Sequence, residues 1–419
     1  MTANSLSDQA LVDALLRSNF NLFLERCFRT LNPGKGFMRN WHHHAITYEL
    51  ERIRQGENTR LIINLHPRSL KSFIASVAFP AFVLGHDPSK RIIVISYADD
   101  LASKHAGDFR AIVQSTWYKR AFPKMRIERS LLDFVETKKQ GFRMSKSITG
   151  SLTGFGGDIL ILDDPQKPLD AQSDTNRKKL KDLFSNTLLS GLDDKREGAI
   201  IVVMQRVHVD DLCGHLWETS GDWTTLSLPA IAEADEAIQI GKSEFHHRKI
   251  GEALHPEREP LEILKALQQE IGSYDFAAQY QQNPVPLEGG MIKSEWIRYY
   301  DPAQLTALKQ GGKMIQSWDT GAKPGEENSF SACTTWLIKG DDYHLVHAER
   351  GRYTYPELLR KAKELAERYK PSEILVEDAS TGIVLAQELT KIVRARVKAV
   401  PVQGSKTMRL YLQQGKFEA

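Results

Sequence analysis

Three short stretches in the first half of the chain carry residues able to do phosphate chemistry. His66-Pro67-Arg68-Ser69-Leu70-Lys71-Ser72 joins an apolar run to a segment of helical length. At such a junction backbone N–H groups and the helix N-terminus face an anion. In a phosphate-binding loop Lys71 reaches the β/γ-phosphates and the Ser72 hydroxyl ligates Mg2+. Leu65 and Leu70 hold the places where such loops usually carry glycine. The alternative is a helix start with an ordinary Lys-Ser in its first turn. The second stretch, Asp158 to Asp164, is apolar and ends in two adjacent carboxylates. Asp163 suits the role of holding Mg2+ and Asp164 that of polarising an attacking water, although a strand-end acid pair is often merely solvated. Their spacing from Lys71-Ser72, with room for a strand and a helix between, favours the catalytic role. Third, Ala199–Met204 ends in Gln205-Arg206. Gln205 is placed to touch a γ-phosphate or its water. Arg206 either neutralises transition-state charge or is a surface arginine.

The second half offers another acidic pair. Asp319 closes Lys313–Asp319 and Glu377 closes Glu373–Glu377. In a ribonuclease-H-like topology these strands lie side by side, so the carboxylates converge. Such a pair suits two Mg2+ or Mn2+ ions, about 3.5–4 Å apart, for phosphodiester hydrolysis. The alternative is two solvent-facing acids.

Elements must position these residues. Leu61–Leu65, Arg91–Ser96, Asp158–Leu162 and Ala199–Met204 are rich in Ile, Val and Leu without period-two alternation, as strands buried on both faces are. Lys71–Leu84 and Asp99–Val113 read as crossover helices, which makes a doubly wound α/β domain. Phe134–Thr149 reads as a hairpin insertion. Residues 281–291, with two prolines and Gly289-Gly290, mark the best boundary. This gives a domain over 1–285, a linker over 286–300 and a second α/β domain over 301–419. In the latter, Ser331–Lys339 and Tyr343–Glu349 flank a turn, followed by a helix (Tyr355–Tyr369), the Glu373–Glu377 strand and a helix (Ile383–Val393).

Composition limits the function classes. With 56 Lys and Arg against 53 Asp and Glu, a formal charge of +3, contact with nucleic acid must come from local basic patches. Candidates are Lys138-Lys139, Arg143 with Lys146, Arg177-Lys178-Lys179 with Lys181, and a basic tail from Lys391 through Arg394, Arg396, Lys398, Lys406, Arg409 and Lys416. Three scattered cysteines make neither a disulfide framework nor a zinc pattern. A soluble, intracellular protein without a signal peptide or membrane span is expected. His42-His43-His44 precedes a helix over Ala45–Arg54, and His246-His247-Arg248 reads as loop.

Together these residues resemble the large terminase subunit of tailed bacteriophages, an ATP-driven DNA-packaging motor with a nuclease domain. Trp41-His42 looks like that family's adenine-side segment. Pro67 to Ser72 resembles its phosphate loop, and Gly150-Ser151-Leu152-Thr153-Gly154 with Asp163-Asp164-Pro165 its second ATPase motif. Gln205-Arg206-Val207-His208 resembles its coupling motif, and Tyr280-Gln281-Gln282-Asn283-Pro284 the end of its ATPase domain. Asp319 and Glu377 match the first two metal-ligand positions of its nuclease. The resemblance implies a P-loop ATPase domain of ASCE type followed by a ribonuclease-H-like domain. ATP and Mg2+ would be held by Arg68, Ser69, Leu70, Lys71, Ser72 and Asp163, with Arg68 and Asp164 catalytic. It implies double-stranded DNA, a portal ring, a small terminase subunit and further copies of the chain as partners, in the cytoplasm of a bacterial host.

Two departures accompany the resemblance. The β-carbon of Leu70 constrains the loop and would weaken nucleotide binding, and Asp164 stands where many of these motors carry Glu. After Asp378 the only acids are Glu388 and Glu418, neither in place as the family's third nuclease ligand. A C-terminally shortened chain with weak or no nuclease activity is therefore expected. Other readings are a helicase-like DNA-dependent translocase and a decayed, non-catalytic DNA-binding or assembly protein.

Overall fold

The structure is a computed structural model. It describes residues 8–148, 150, 156–219, 222–285, 296–321, 330–378 and 381–401, with 409, 410, 413, 416 and 417. Residues 151–154 of the second-motif approach, 286–295 of the expected linker, Lys406 and Glu418 lie outside the described residues. The chain divides into two compact units, Met1–Lys293 with Gln413–Ala419, and Ser294–Leu412.

Eight strands build the first unit's sheet: β1 Arg60–Leu65, β2 Arg91–Ser96, β3 Ile127–Ser130, β4 Phe134–Thr137, β5 Phe142–Ser147, β6 Ile159–Asp163, β7 Ala199–Met204 and β8 Thr224–Leu228. Their order is β3-β4-β5-β2-β6-β7-β1-β8. The six strands from β5 to β8 pair in parallel, while β3 and β4 add an antiparallel edge. Every residue of β6 and β7 is buried, which is why these strands read as unbroken apolar runs. Alternate side chains enter two cores: Leu61, Ile63, Ile161 and Ile201 face one, and Ile62, Leu160, Leu162 and Ile200 the other. Because β7 lies between β1 and β6, the tip of β7 stands between the loop after β1 and the acids after β6. This is the ASCE arrangement.

Helices α1 (Asp8–Ser18), α2 (Phe20–Leu31) and α3 (Trp41–Arg54) precede β1. The third starts at Trp41, four residues before the expected start, because Asn40 and His43 form a capping box. After β1 comes α4 (Lys71–Phe73), a π turn (Ile74–Ala78) and α5 (Phe79–His86); α6 spans Asp99–Gln114. The segment expected to be loop at His246-His247-Arg248 is a strand instead. Here β9 (Glu236–Gly241) and β10 (Glu244–Arg248) form an antiparallel ribbon. Its apolar alternation is short: Ile238 and Ile240 of β9 pack against the first core, and β10 adds no buried apolar residue. Arg248, 1% exposed, fixes its end by donating to the carbonyls of Pro229, Ala230 and Glu252.

The second unit is ribonuclease-H-like. Its strands β11 (Lys313–Asp319), β12 (Ser331–Lys339), β13 (Asp342–Gly351), β14 (Glu373–Glu377) and β15 (Arg396–Val400) lie in the order β13-β12-β11-β14-β15. The first three form an antiparallel meander, and β11, β14 and β15 run parallel. The helices Tyr355–Tyr369 and Thr381–Ile392 pack Leu358, Ala362, Leu365, Leu385 and Leu389 against Trp318, Ile374 and Val376.

Candidate nucleotide site and strand-end acid pair

β1 ends in buried Leu65 and delivers the loop to the tip of the parallel core. Buried Asn64 anchors that strand end by donating to the Met204 carbonyl of β7 at 3.0 Å. Within the loop Arg68 (φ 65°) and Leu70 (φ 63°, ψ 8°) are both left-handed. Such a conformation costs a non-glycine residue roughly 1–2 kcal/mol. Leu70 therefore keeps the backbone shape that glycine normally supplies. The N-terminal turn of the following helix then presents Lys71 and Ser72 toward the end of β6.

The acids meet them there. The Lys71 Nζ donates to the Asp164 carboxylate at 3.0 Å, and the Ser72 hydroxyl to Asp163 at 2.7 Å. Ser76, one turn along the same helix, donates to the other Asp163 oxygen at 2.7 Å, and the His105 Nδ1 lies 3.3 Å from that oxygen. Burial raises the Asp163 carboxyl above its usual range against the pull of the Ser76 and Ser72 hydroxyls. Burial also raises Asp164, opposed first by the Lys71 ammonium. The backbone N–H of Gln205 reaches Asp164 at 3.3 Å, and the buried Gln205 Oε1 has no hydrogen-bond partner among the described residues. Lys71, Asp164 and Gln205, drawn from three strand ends, thus share one locus.

The loop's outer wall was not legible in the sequence. His66 bonds the Glu259 carboxylate at 2.8 Å and stacks on Tyr280, centroids 5.5 Å apart. Arg258 donates to the Arg68 carbonyl and, at 2.8 Å, to Glu259. These partners stand about 190 residues downstream in a polar stretch, and no local pattern announces them. Ser76 was findable, since it follows Ser72 by one helical turn.

Several expected residues sit differently. His42 is 1% exposed and turned inward: its Nε2–H donates to the Ser69 carbonyl at 3.3 Å, and its Nδ1 accepts from Asn40. Trp41 stacks on His246, centroids 4.4 Å apart. Arg206 is no surface residue. It is 4% exposed, bound to both Asp211 oxygens at 2.9–3.0 Å and covered by the Trp217 ring. A guanidinium so engaged holds the turn after β7 rather than a phosphate. Arg143 and Arg177, 1% and 7% exposed, leave the candidate DNA clusters for the interior, whereas Lys138, Lys139, Lys178 and Lys179 are exposed. The Arg68 side chain is exposed beside the loop.

In the second unit Trp318 pairs with Val376 in the parallel register of β11 and β14, so Asp319 and Glu377 follow at neighbouring strand ends. Arg409 bonds Glu377 at 3.4 Å, and Glu388 pairs with Lys391 at 2.7 Å. Among the described residues no three His, Cys, Asp or Glu side chains form a group able to hold a metal. Asp319 and Glu377 stand at adjacent strand ends as a pair of hard oxygen donors.

The chain is 24% identical over 362 residues to the large terminase subunit of Enterobacteria phage T3, an alignment covering 81% of this chain and 58% of the relative. The chain resembles a phage large terminase. It spans a little over half the length of that curated terminase. Solved terminases align at lower levels. The large terminase of a thermophilic bacteriophage is 8% identical over 88% of this chain and 85% of its own, with a TM-score of 0.42. The same thermophilic terminase in complex with ATP-γ-S is 9% identical over 88% and 86%, at 0.38. The HK97 bacteriophage large terminase is 12% identical over 99% and 90%, at 0.40. Strand order, and not these overlays, carries the fold. No family model matches the chain. Among the described residues no helix is long and apolar enough to cross a membrane.

Proposed function

We propose that this chain binds and hydrolyses Mg-ATP at Arg68–Ser72 and couples hydrolysis to the translocation of double-stranded DNA into a viral procapsid. The observation that carries the reading is the convergence of Lys71 on Asp164 at 3.0 Å and of Ser72 on Asp163 at 2.7 Å across two strands. The donor set fits the group: a hydroxyl and a buried carboxylate for Mg2+, an ammonium and a helix N-terminus for phosphates. Lys71 and the loop N–H groups would hold the phosphates, and Ser72 with Asp163 the ion. Bound Mg2+ neutralises phosphate charge and polarises the reacting phosphoryl group. When phosphate replaces Asp164 as the Lys71 partner, the Asp164 carboxylate is released to accept a proton from water. Its raised proton affinity suits a base better than a solvated aspartate. Gln205 orients that water with its unpartnered Oε1. Exposed Arg68 supports charge on the phosphates.

The left-handed backbone retained at Leu70 supports a working loop over a decayed one. The second unit's ribonuclease-H-like order supports a packaging motor over a helicase-like translocase, which would carry a second P-loop sheet. A portal ring, a small terminase subunit and further copies of the chain are the partners this reading requires, in the host cytoplasm. ATPase assayed with and without duplex DNA tests it: DNA should stimulate turnover in the unmodified chain and give none in Lys71→Ala. DNA-independent turnover would refute the coupling.

A further inference from the structure

The phosphate loop holds two non-glycine residues in left-handed conformations, Arg68 and Leu70. Nothing in their own side chains favours that shape, so a neighbour must. The carbonyls around the strained positions are bonded one by one. The Arg68 carbonyl accepts from Arg258, and the Ser69 carbonyl from the His42 Nε2–H at 3.3 Å. The His66 carbonyl accepts from the Ser69 hydroxyl at 2.8 Å. The first loop residue is tied as well, because His66 bonds Glu259, which is itself bonded by Arg258.

The two donors belong to one assembly. Asn40 donates its side-chain N–H to the Leu254 carbonyl at 2.7 Å and also bonds His42 Nδ1, which fixes the Nε2–H tautomer that Ser69 requires. The wall formed by Asn40, His42 and the 254–259 segment therefore grips the loop at His66, Arg68 and Ser69. We propose that Arg258 and His42 are positioning residues that hold the phosphate loop in the conformation other loops obtain from glycine.

This rests on the nucleotide-site reading, and it predicts a coupling that reading alone does not. Without the brace, a loop carrying Leu70 relaxes out of the left-handed region and nucleotide must restore it. A loop carrying glycine there reaches the shape with little penalty. The experiment is a four-variant cycle of the unmodified chain, Arg258→Ala, Leu70→Gly and the double variant, read by calorimetric Mg-ATP-γ-S binding. Arg258 is used because its side chain is 26% exposed and its removal leaves the core intact. Arg258→Ala should weaken binding on the order of tenfold with Leu70 present and less than threefold with glycine there. Arg258→Lys should recover part of the loss. Equal losses in both backgrounds overturn the proposal. Amide exchange over residues 66–72 without nucleotide separates this from the site reading. Faster exchange in Arg258→Ala supports the brace even if no nucleotide binds, and unchanged exchange overturns it.

Discussion

Lys71 and Asp164 hold each other in a pair whose side chains are 6% and 25% exposed. That arrangement separates binding from chemistry in a testable way. Asp164→Asn should lower kcat on the order of 10²- to 10³-fold while the Mg-ATP dissociation constant changes only a few-fold, because general-base loss acts on turnover. A loss of affinity matching the loss of turnover would assign Asp164 to binding instead. Buried Arg206 makes the contrasting prediction. Arg206→Met leaves the Asp211 carboxylate, 0% exposed, without its charge partner, and should destabilise the first unit by about 3–5 kcal/mol in denaturant unfolding. At this scale the loop lysine, its serine and the two aspartates were legible in the sequence, because a short spacing defines each of them. The role of Arg206 was hidden. Whether an arginine at a strand tip faces water or an aspartate depends on the turn that follows.

Helix α3 starts where Asn40 and His43 cap it, and the His43 ring does so by accepting the Asn40 backbone N–H through Nδ1 at 3.3 Å. That nitrogen must carry no proton. Burial, then the neighbouring His255 and His44, lowers the His43 pKa from 6.5 to about 3. Below pH 6.5 the unfolded chain thus binds more protons at this site than the folded one. Stability is present above pH 6.5 and is lost as pH falls toward 3, by about 2 kcal/mol at pH 5 for this residue alone. Unfolding by urea at pH 7 and pH 5 measures it, and His43→Gln should flatten that part of the slope. In the second unit, a β-carbon at Gly382 would stand 2.1 Å from the Glu377 carbonyl. Gly382→Ala should cost that unit about 1–3 kcal/mol and leave nucleotide affinity unchanged. A matching loss of affinity would contradict it. Long apolar strands and the hairpin of β4 and β5 were legible from composition alone. The ribbon of β9 and β10 was not, since its apolar alternation is only Ile238 and Ile240 within a polar stretch. The early start of α3 was also hidden, because histidine takes the place of the usual Glu or Gln in the capping box.

Across the whole molecule, alternating apolar strands and helical segments were enough to expect a doubly wound sheet followed by a smaller α/β unit. The strand order was not: only the pairing shows β7 between β1 and β6, which is what brings Gln205 beside Asp164. The wall around the loop was equally hidden, as Glu259 meets His66 across 193 positions of chain. Under the proposed packaging function, DNA contact should run through phosphates, since such a motor must accept any sequence. Of the basic residues the sequence offered, Lys138, Lys139, Lys178 and Lys179 in the first unit, and Lys391, Arg394, Arg396, Lys398 and Lys416 of the tail, are exposed for it. Duplex affinity should fall steeply with salt, and Lys178→Glu with Lys179→Glu should reduce the slope of log K against log salt by roughly 1–2. The proposed function depends on nucleotide entering at the tip of β1. The most direct measurement is calorimetric Mg-ATP titration of the unmodified chain beside Lys71→Ala. Saturable one-site binding that Lys71→Ala abolishes is the predicted result; equal binding by both, or none by the unmodified chain, would contradict the account.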